Sequence, residues 1–347
     1  MFELKGSGTA PTQRLTHFSK AAGCGCKIAP AVLKEITEGV KDFPFDAKLL
    51  VGPQTSDDAA VIQWDEHQAL ISTVDFFAPI VDDPFLFGKI ASANALSDVY
   101  AMGGKPVIAL AVLGWPIEKL PVQMAQQVMQ GAIEQCNEAG VMLGGGHTID
   151  AAEPFFGLSV NGIVSPRHLK RNSGGRDGDL LFLTKQLGTG VLATARKRDL
   201  ITDADWQDAC QSMSTLNSEG TQMGTLDSVH ALTDVTGFGL LGHLLEMCDG
   251  ANLGAELHLK KLPLFAKVQE LTAAYIYADN TMRNWKAFSS RCTGIENHDI
   301  LIVCDPQTNG GLLVAVANEA ADSFQKTFPA AVCIGRLTGA FTGAKGI

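Results

Sequence analysis

The chain predicts an α+β protein of two domains. Three observations carry this: a length of 347 residues, an apolar share of 46% against 18% charged residues, and apolar periods of two and of 3.6 that alternate irregularly along the sequence. Residues 21–27, Ala-Ala-Gly-Cys-Gly-Cys-Lys, are glycine-rich, and Pro30 opens a helix expected to reach about residue 40, with Leu33, Ile36 and Val40 at helical spacing. The β-favouring residues 69–74 predict a strand that stops at Asp75, and residues 85–102 predict a helix ended by Gly103-Gly104. Residues 106–113 read as a strand and 122–139 as a long amphipathic helix; Gly144-Gly145-Gly146-His147 reads as a glycine loop before a strand over 158–164.

Residues 172–179, Asn-Ser-Gly-Gly-Arg-Asp-Gly-Asp, have the composition of a linker, so the domain boundary is placed just before them, near Pro166. The expected segments are a flexible 1–48, an N-terminal domain over 49–165 and a C-terminal α+β domain over 166–347. The last is expected to carry a strand at 180–184, helices after Gly190, Asp203 and Gly237, and a strand near Glu256. Two further strands, 300–304 and 312–316, are expected to flank Asp305-Pro306-Gln307-Thr308-Asn309-Gly310-Gly311.

The formal net charge is -10, and no cluster of Lys and Arg lies on an expected helix, which argues against nucleic acid as a partner. An acidic protein that handles polyphosphate needs metal ions to bridge like charges. The N-terminus lacks the basic and apolar regions of a secretory signal, and the most apolar stretch, residues 106–115, falls well short of the roughly 20 residues of a membrane helix. A cytoplasmic protein without membrane attachment is expected. Cys136, Cys248, Cys304 and Cys333, irregularly spaced in apolar surroundings, are expected to be buried thiols without disulfides.

Acidic residues recur at element ends or on one helix face: Asp57-Asp58 in a turn, Asp75 after a strand, Asp98 four residues after Asn94, and Asp234 before Gly237-Phe238-Gly239. Any one of them could be a turn former or a solvated helix position. Together they suit magnesium, which takes oxygen ligands, keeps waters and is held by one or two carboxylates together with substrate phosphates. Gly237-Phe238-Gly239-Leu240-Leu241-Gly242 fits the dinucleotide pattern G-x-G-x-x-G, with Glu256 near the required distance. The lack of a second strand and helix after Glu256, and the anion-repelling Asp234 beside the first glycine, weigh against a nicotinamide dehydrogenase. A Walker A sequence is absent, because Gly88-Lys89 has Asp83 where the first glycine should stand. Gly144 to Thr148 could form an anion nest or a plain turn.

Small residues around Cys24-Gly25-Cys26 leave the thiols accessible, and Lys27 with a following helix N-terminus favours the thiolate, the setting of a reactive cysteine. A zinc site would need four ligands, and beyond His17 no second nearby pair supplies them. A cysteine-based carrier without turnover is a third reading, but it would not need the aspartates.

The order of segments 23–27 (Gly-Cys-Gly-Cys-Lys), 55–61 (Thr-Ser-Asp-Asp-Ala-Ala-Val), 72–77 (Ser-Thr-Val-Asp-Phe-Phe), 94–104 (Asn-Ala-Leu-Ser-Asp-Val-Tyr-Ala-Met-Gly-Gly), 145–150 (Gly-Gly-His-Thr-Ile-Asp), 233–239 (Thr-Asp-Val-Thr-Gly-Phe-Gly) and 305–308 (Asp-Pro-Gln-Thr) closely resembles selenophosphate synthetases, the selenide, water dikinases, within the aminoimidazole ribonucleotide synthetase-like superfamily. The resemblance spans nearly the whole chain from about residue 16. It implies a homodimer of two-domain α+β subunits whose N-terminal domains pair into a shared β-barrel, and an ATP-dependent kinase that makes selenophosphate from selenide, ATP and water, releasing AMP and orthophosphate.

By the same resemblance, Cys24 handles selenium and Lys27 assists catalysis and touches nucleotide phosphates. Asp58, Asp98 and Asp234 hold Mg2+; Thr55, Ser56, Asp57, Asp75 and Asp98 line the nucleotide site; and Gly146, His147 and Thr148 complete that site from the partner subunit. A lid around Gly23 and Gly25 would close over ATP, and a selenium-delivery protein is a further candidate partner. Lys20 and Ala22 stand where the family often has a histidine and a glycine, and Asn309 replaces a common serine.

Overall fold

A computed structural model describes residues 14–19, 22, 23, 25, 27, 28, 30–37, 46–53 and 56–347. Cys24, Cys26, Lys20 and Thr55 lie outside the described residues. The first half holds helix α1 (Pro30–Thr37), strands β1 (Leu49–Val51), β2 (Ala60–Gln63) and β3 (Ala69–Phe77), helix α2 (Pro84–Ala101), strand β4 (Lys105–Trp115), helix α3 (Val122–Glu138), and strands β5 (Met142–Asp150) and β6 (Phe155–Val164). The strands form one sheet in the order β1-β2-β3-β6-β4-β5, antiparallel except for the parallel pair β4 and β5.

The second half follows with β7 (Leu180–Leu183), α4 (Thr189–Lys197), α5 (Asp203–Ser214), α6 (Glu219–Gly224), β8 (Val229–Asp234), α7 (Gly239–Ala251), β9 (Gly254–Leu257), α8 (Val268–Ala273), α9 (Asp279–Phe288), β10 (Cys292–Thr293), α10 (His298–Val303), β11 (Leu312–Val316), α11 (Ala321–Thr327), β12 (Val332–Thr338) and β13 (Gly343–Gly346). Its sheet runs β10-β13-β9-β12-β7-β11-β8. β8 and β9 stand far apart in that order, and β8 pairs antiparallel with β11. The parallel strand–helix–strand unit of a dinucleotide fold is therefore not formed around Gly237 to Gly242.

Helix α2 joins the halves. It packs on β3, β6 and α3 on one side and on α5, α6 and β8 on the other. A helix that is apolar all round must be buried all round, and residues 90–101 are buried without a break. Asp83 caps it by accepting from the Leu86 N–H at 2.9 Å, with Pro84 at the first helical position. Gly88 and Gly131 let α2 and α3 cross closely, since a Cβ at either would strike a carbonyl of the facing helix.

Four expectations need correction. β3 continues to Phe77, so Asp75 lies inside the strand, because the sheet pairs every residue from Ala69 to Phe77 with β6. The glycine segment 144–146 is strand: Gly146, at φ 157, is extended, and a Cβ there would collide with the Ala111 backbone of β4, a close approach that only glycine allows. Residues 300–303 belong to helix α10 and not to a strand; a short apolar run cannot tell the two apart. Cys333 is half-buried, whereas Cys136, Cys248 and Cys304 are buried free thiols as expected, and burial pushes Cys136 up to about 11 and Cys248 up to about 12. Leu33 and Ile36 of α1 are exposed, and residues 38–40 lie outside the described ones. Among the described residues no helix is long and apolar enough to cross a membrane.

Candidate active site

Period two on a strand and one turn of helix match in length, and the site is built on that match. Thr73 and Asp75 point to the same face of β3, about 6.6 Å apart along the strand. Asn94 and Asp98 are one turn apart on α2, about 6 Å along its axis. The two pairs meet as rungs: Thr73 Oγ1 donates to Asp98 Oδ2 at 2.6 Å, and Asn94 Nδ2 donates to Asp75 Oδ2 at 2.8 Å. Lys27 Nζ lies 3.4 Å from Asp75 Oδ2, and Asn280 Nδ2 on α9 donates to the Lys27 carbonyl at 3.3 Å. Nearby, the Gly23 N–H donates to the Ala78 carbonyl, and its φ of 51 with Thr308 and Ile80 pressed against it leaves no room for a side chain.

The second half supplies the opposite wall. Thr233 and Asp234 end β8, and Thr233 Oγ1 donates to Asp58 Oδ1 at 2.9 Å. Asn172 holds the preceding loop, its N–H donating to Asp57 Oδ1 at 2.8 Å and its Nδ2 to the Ser56 carbonyl at 2.9 Å. Lys27, Ser56, Asp57, Asp58, Asp75, Asp98 and Asp234 thereby line one open cavity of about 670 Å³, within the usual size of a ligand site.

The carboxylates there oppose one another. Asp98 is 9% exposed and Asp234 1%. Burial first, then the charges of Asp234 and Asp98, hold Asp58 well above the usual carboxylate range. Burial, Asp234 and Asp75 do the same for Asp98. Asp234 is raised chiefly by burial, against the lowering effects of Ser97, His243 and Lys27. Asp58 Oδ2 and Asp234 Oδ2 are buried without a hydrogen-bond donor. Buried acceptors of this kind are costly unless something cationic meets them, so the donor set fits a hard divalent ion. Among the described residues no three His, Cys, Asp or Glu side chains converge on one ion. The carboxylates accordingly suit ions that complete their shells with phosphate oxygens and water.

Gly146, His147 and Thr148 do not reach this cavity within the chain. They lie on β5, the exposed edge of the first sheet. Cys24 and Thr55, outside the described residues, cannot be placed in it.

The structure adds wall residues that the sequence reading did not single out: Thr236, Phe238, His243, Glu246 and Phe288. His243 and Glu246 follow Gly242 one turn apart on a single face of α7. Gly242 itself serves packing. A Cβ on Gly242 would stand 2.5 Å from Phe238 Cβ and 2.9 Å from the Phe288 ring. Asn309 also finds a reason here: at φ 45 it takes the left-handed backbone that asparagine tolerates, its N–H donates to Asn94 Oδ1 at 2.8 Å, and its Nδ2 donates to the Met213 and Thr215 carbonyls.

Comparison with known proteins agrees with this arrangement. Residues 56–164 match the family of AIR synthase related proteins, N-terminal domain, and residues 176–344 its C-terminal domain. A protein named selenide, water dikinase from Shewanella sp. (strain MR-7) is 48% identical over 333 residues, 95% of each chain, and one of the same name from Shewanella baltica (strain OS155 / ATCC BAA-1091) is 49% identical over 328 residues, 93% of each. Among solved structures, a thiamine monophosphate kinase from Aquifex aeolicus superposes with a TM-score of 0.66 at 17% identity, covering 91% of this chain and 96% of that one. The hydrogenase maturation protein HypE, solved in complex with ATP, gives 0.63 at 16%, covering 94% and 90%. The fold is thus that of the AIR synthase-like proteins, and the chain belongs to the selenide, water dikinase family.

Proposed function

We propose that the acidic cavity between the two sheets is the site at which this chain makes selenophosphate from selenide, ATP and water, with release of AMP and orthophosphate. The observation that carries the reading is the convergence of Lys27, Asp57, Asp58, Asp75, Asp98 and Asp234, from separate segments of both halves, on one cavity in which Asp58 and Asp234 each bury an oxygen without a hydrogen-bond donor. A hydrogen selenide anion and a triphosphate repel each other. The transferring group needs its charge neutralised and water kept away.

Mg2+ held by Asp58, Asp98 and Asp234 would supply that neutralisation when bound. Lys27 adds a positive charge beside Asp75, while Thr55, Ser56 and Asp57 contact the nucleotide and Cys24 handles selenium. Charge balance supports this division: the carboxylates bind through metal, and the lysine directly.

The outer face of the first sheet supports a homodimer. Val74 of β3, Ser159 of β6 and Leu110 of β4 form one row of that face; Val74, Phe76, Val107, Leu110 and Ile149 are large apolar residues left exposed. So extensive an apolar face is characteristic of an interface. Two copies pairing there, as a shared barrel, would bring Gly146, His147 and Thr148 to the partner's nucleotide site. The cytoplasm, with its ATP and magnesium, is the matching compartment.

Phosphorus NMR of the protein with ATP, Mg2+ and selenide, anaerobic and reducing, tests the reaction. Selenide-dependent selenophosphate with AMP and orthophosphate is the expected result. ADP as the end product, or turnover indifferent to selenide, would point to another kinase chemistry.

A further inference from the structure

Thr236, in the turn before α7, and His243 and Glu246 on α7 line one wall of the cavity. The turn that sets them up is tightly fixed: the Thr236 carbonyl accepts from the Gly239 N–H at 3.0 Å and the Gln307 N–H at 2.9 Å, and the Gly237 carbonyl accepts from Asn284 Nδ2 at 3.0 Å. Gly239, at φ 72, has the Val303 and Cys304 backbone against it, so no side chain fits at the first residue of α7. The His243 imidazole, 6% exposed, stacks on Phe238 with ring centroids 5.7 Å apart. Its Nε2 is 3.3 Å from Thr236 Oγ1. Its Nδ1 is buried without a well-aligned hydrogen bond, and Glu246 Oε2 stands 3.1 Å away. The sequence is carboxylate, imidazole, hydroxyl, the order in which a base is oriented by an acid and acts through a hydroxyl.

We propose that Glu246, His243 and Thr236 form a proton relay for the hydrolytic half of the reaction. This rests on the functional reading above and adds residues to it. ATP has three phosphoryl groups; one goes to selenium, one stays in AMP and one leaves as orthophosphate, so one of the two cleavages is attack by water. In that step the water oxygen bonds to phosphorus, and the P–O bond to the departing AMP breaks with its electron pair left on the AMP oxygen. The water proton passes to Thr236 Oγ1 while the threonine proton passes to His243 Nε2. Glu246 on α7 and Asp234 at the end of β8 are the charged groups facing the ring. The transfer of phosphoryl to selenide needs no such base, because its nucleophile is already an anion.

Single-turnover quench of the full-length protein with Mg-ATP and selenide separates the two cleavages. In His243→Asn, ATP consumption is expected to stay within a few-fold of wild type, while AMP formation slows by about 100-fold or more and ADP accumulates, the loss expected for a missing general base. Glu246→Gln, at a more exposed position that should not disturb folding, is expected to slow AMP formation about 10-fold with the same ADP build-up, and Thr236→Ser is expected to restore what Thr236→Val loses. ATP loss and AMP formation falling together, or AMP formation unchanged in folded Glu246→Gln, overturns the relay. A wild-type protein that never consumes ATP in response to selenide removes instead the reading on which the relay rests.

Discussion

Asp58→Asn should make the protein more stable and less able to function, with a pH signature that identifies the cause. Asp58 Oδ1 accepts from Thr233 Oγ1 at 2.9 Å, a bond that the asparagine carbonyl retains. Oδ2 is buried without a donor, and Asp234, Asp98 and Asp57 all raise the cost of its charge. The folded state therefore holds the Asp58 proton more tightly than the unfolded chain, so wild-type stability falls as pH rises from the unfolded carboxylate range through the raised folded value. Below that window the two proteins should be equally stable. Above it, without metal, the variant should gain about 1–3 kcal/mol, the cost of one buried unsatisfied group.

Each kcal/mol is worth roughly 2–4 °C in melting temperature for a domain of about 150–250 residues, so a shift of several degrees is expected at pH 8 and none near pH 3. Melting curves with and without Mg-ATP form the assay. Ligand should raise the wild-type midpoint and do much less for the variant. If metal-free Asp58→Asn melts below wild type at pH 8 yet keeps the full ligand shift, the repulsion argument is wrong.

Cys24→Ser is expected to abolish selenide-dependent products while leaving ATP affinity within a few-fold by calorimetry; a matching loss of nucleotide binding would count against the division between thiol and carboxylates. Lys185 Nζ donates to the Thr215 and Asn309 carbonyls, and burial pushes it down to about 7. The unfolded chain thus holds the extra proton between about 7 and the ordinary lysine value of 10.5, so Lys185 makes stability rise with pH across that window, and Lys185→Met should flatten this component in denaturant titrations. Gly242→Ala should destabilise by about 1–3 kcal/mol through overpacking on Phe238 and Phe288; a neutral result would undo the packing account of that glycine. If His147 serves the partner's site, mixing and refolding inactive Cys24→Ser with inactive His147→Ala should recover about a quarter of wild-type activity through mixed dimers with one intact site, whereas sites contained within single subunits would recover none.

Much of the framework was legible because period and punctuation agreed. Gly103-Gly104 ends α2 as its composition predicts, and Asp57, Asp58, Asp75, Asp98 and Asp234, scattered along the sequence, line one cavity. The site's rungs are half visible in the sequence: Asn94 and Asp98 pair by helical spacing, but no local pattern says that Thr73 and Asp75 of β3 face them. β5 was missed because glycine is a turn signal unless a neighbouring strand comes close enough to forbid a Cβ, as the Ala111 backbone does at Gly146. Residues 300–303 were misread because apolar content alone carries no period. His243 and Glu246 became site residues only once α7 was laid along the cavity, a tertiary fact that no local pattern encodes.

The repelling carboxylates also have a mechanical meaning. Asp98 and Asp58 belong to the first half of the molecule and Asp234 to the second, so when ionised they oppose the approach of the two halves. Cations bound between carboxylates of the two halves would reverse the sign of that force and rivet the halves together. Loading and tightening would then be one event: ions arriving with ATP would turn a spring into a clamp, and loss of the phosphates that hold those ions would loosen it again. An enzyme of this build would need no separate latch to release AMP.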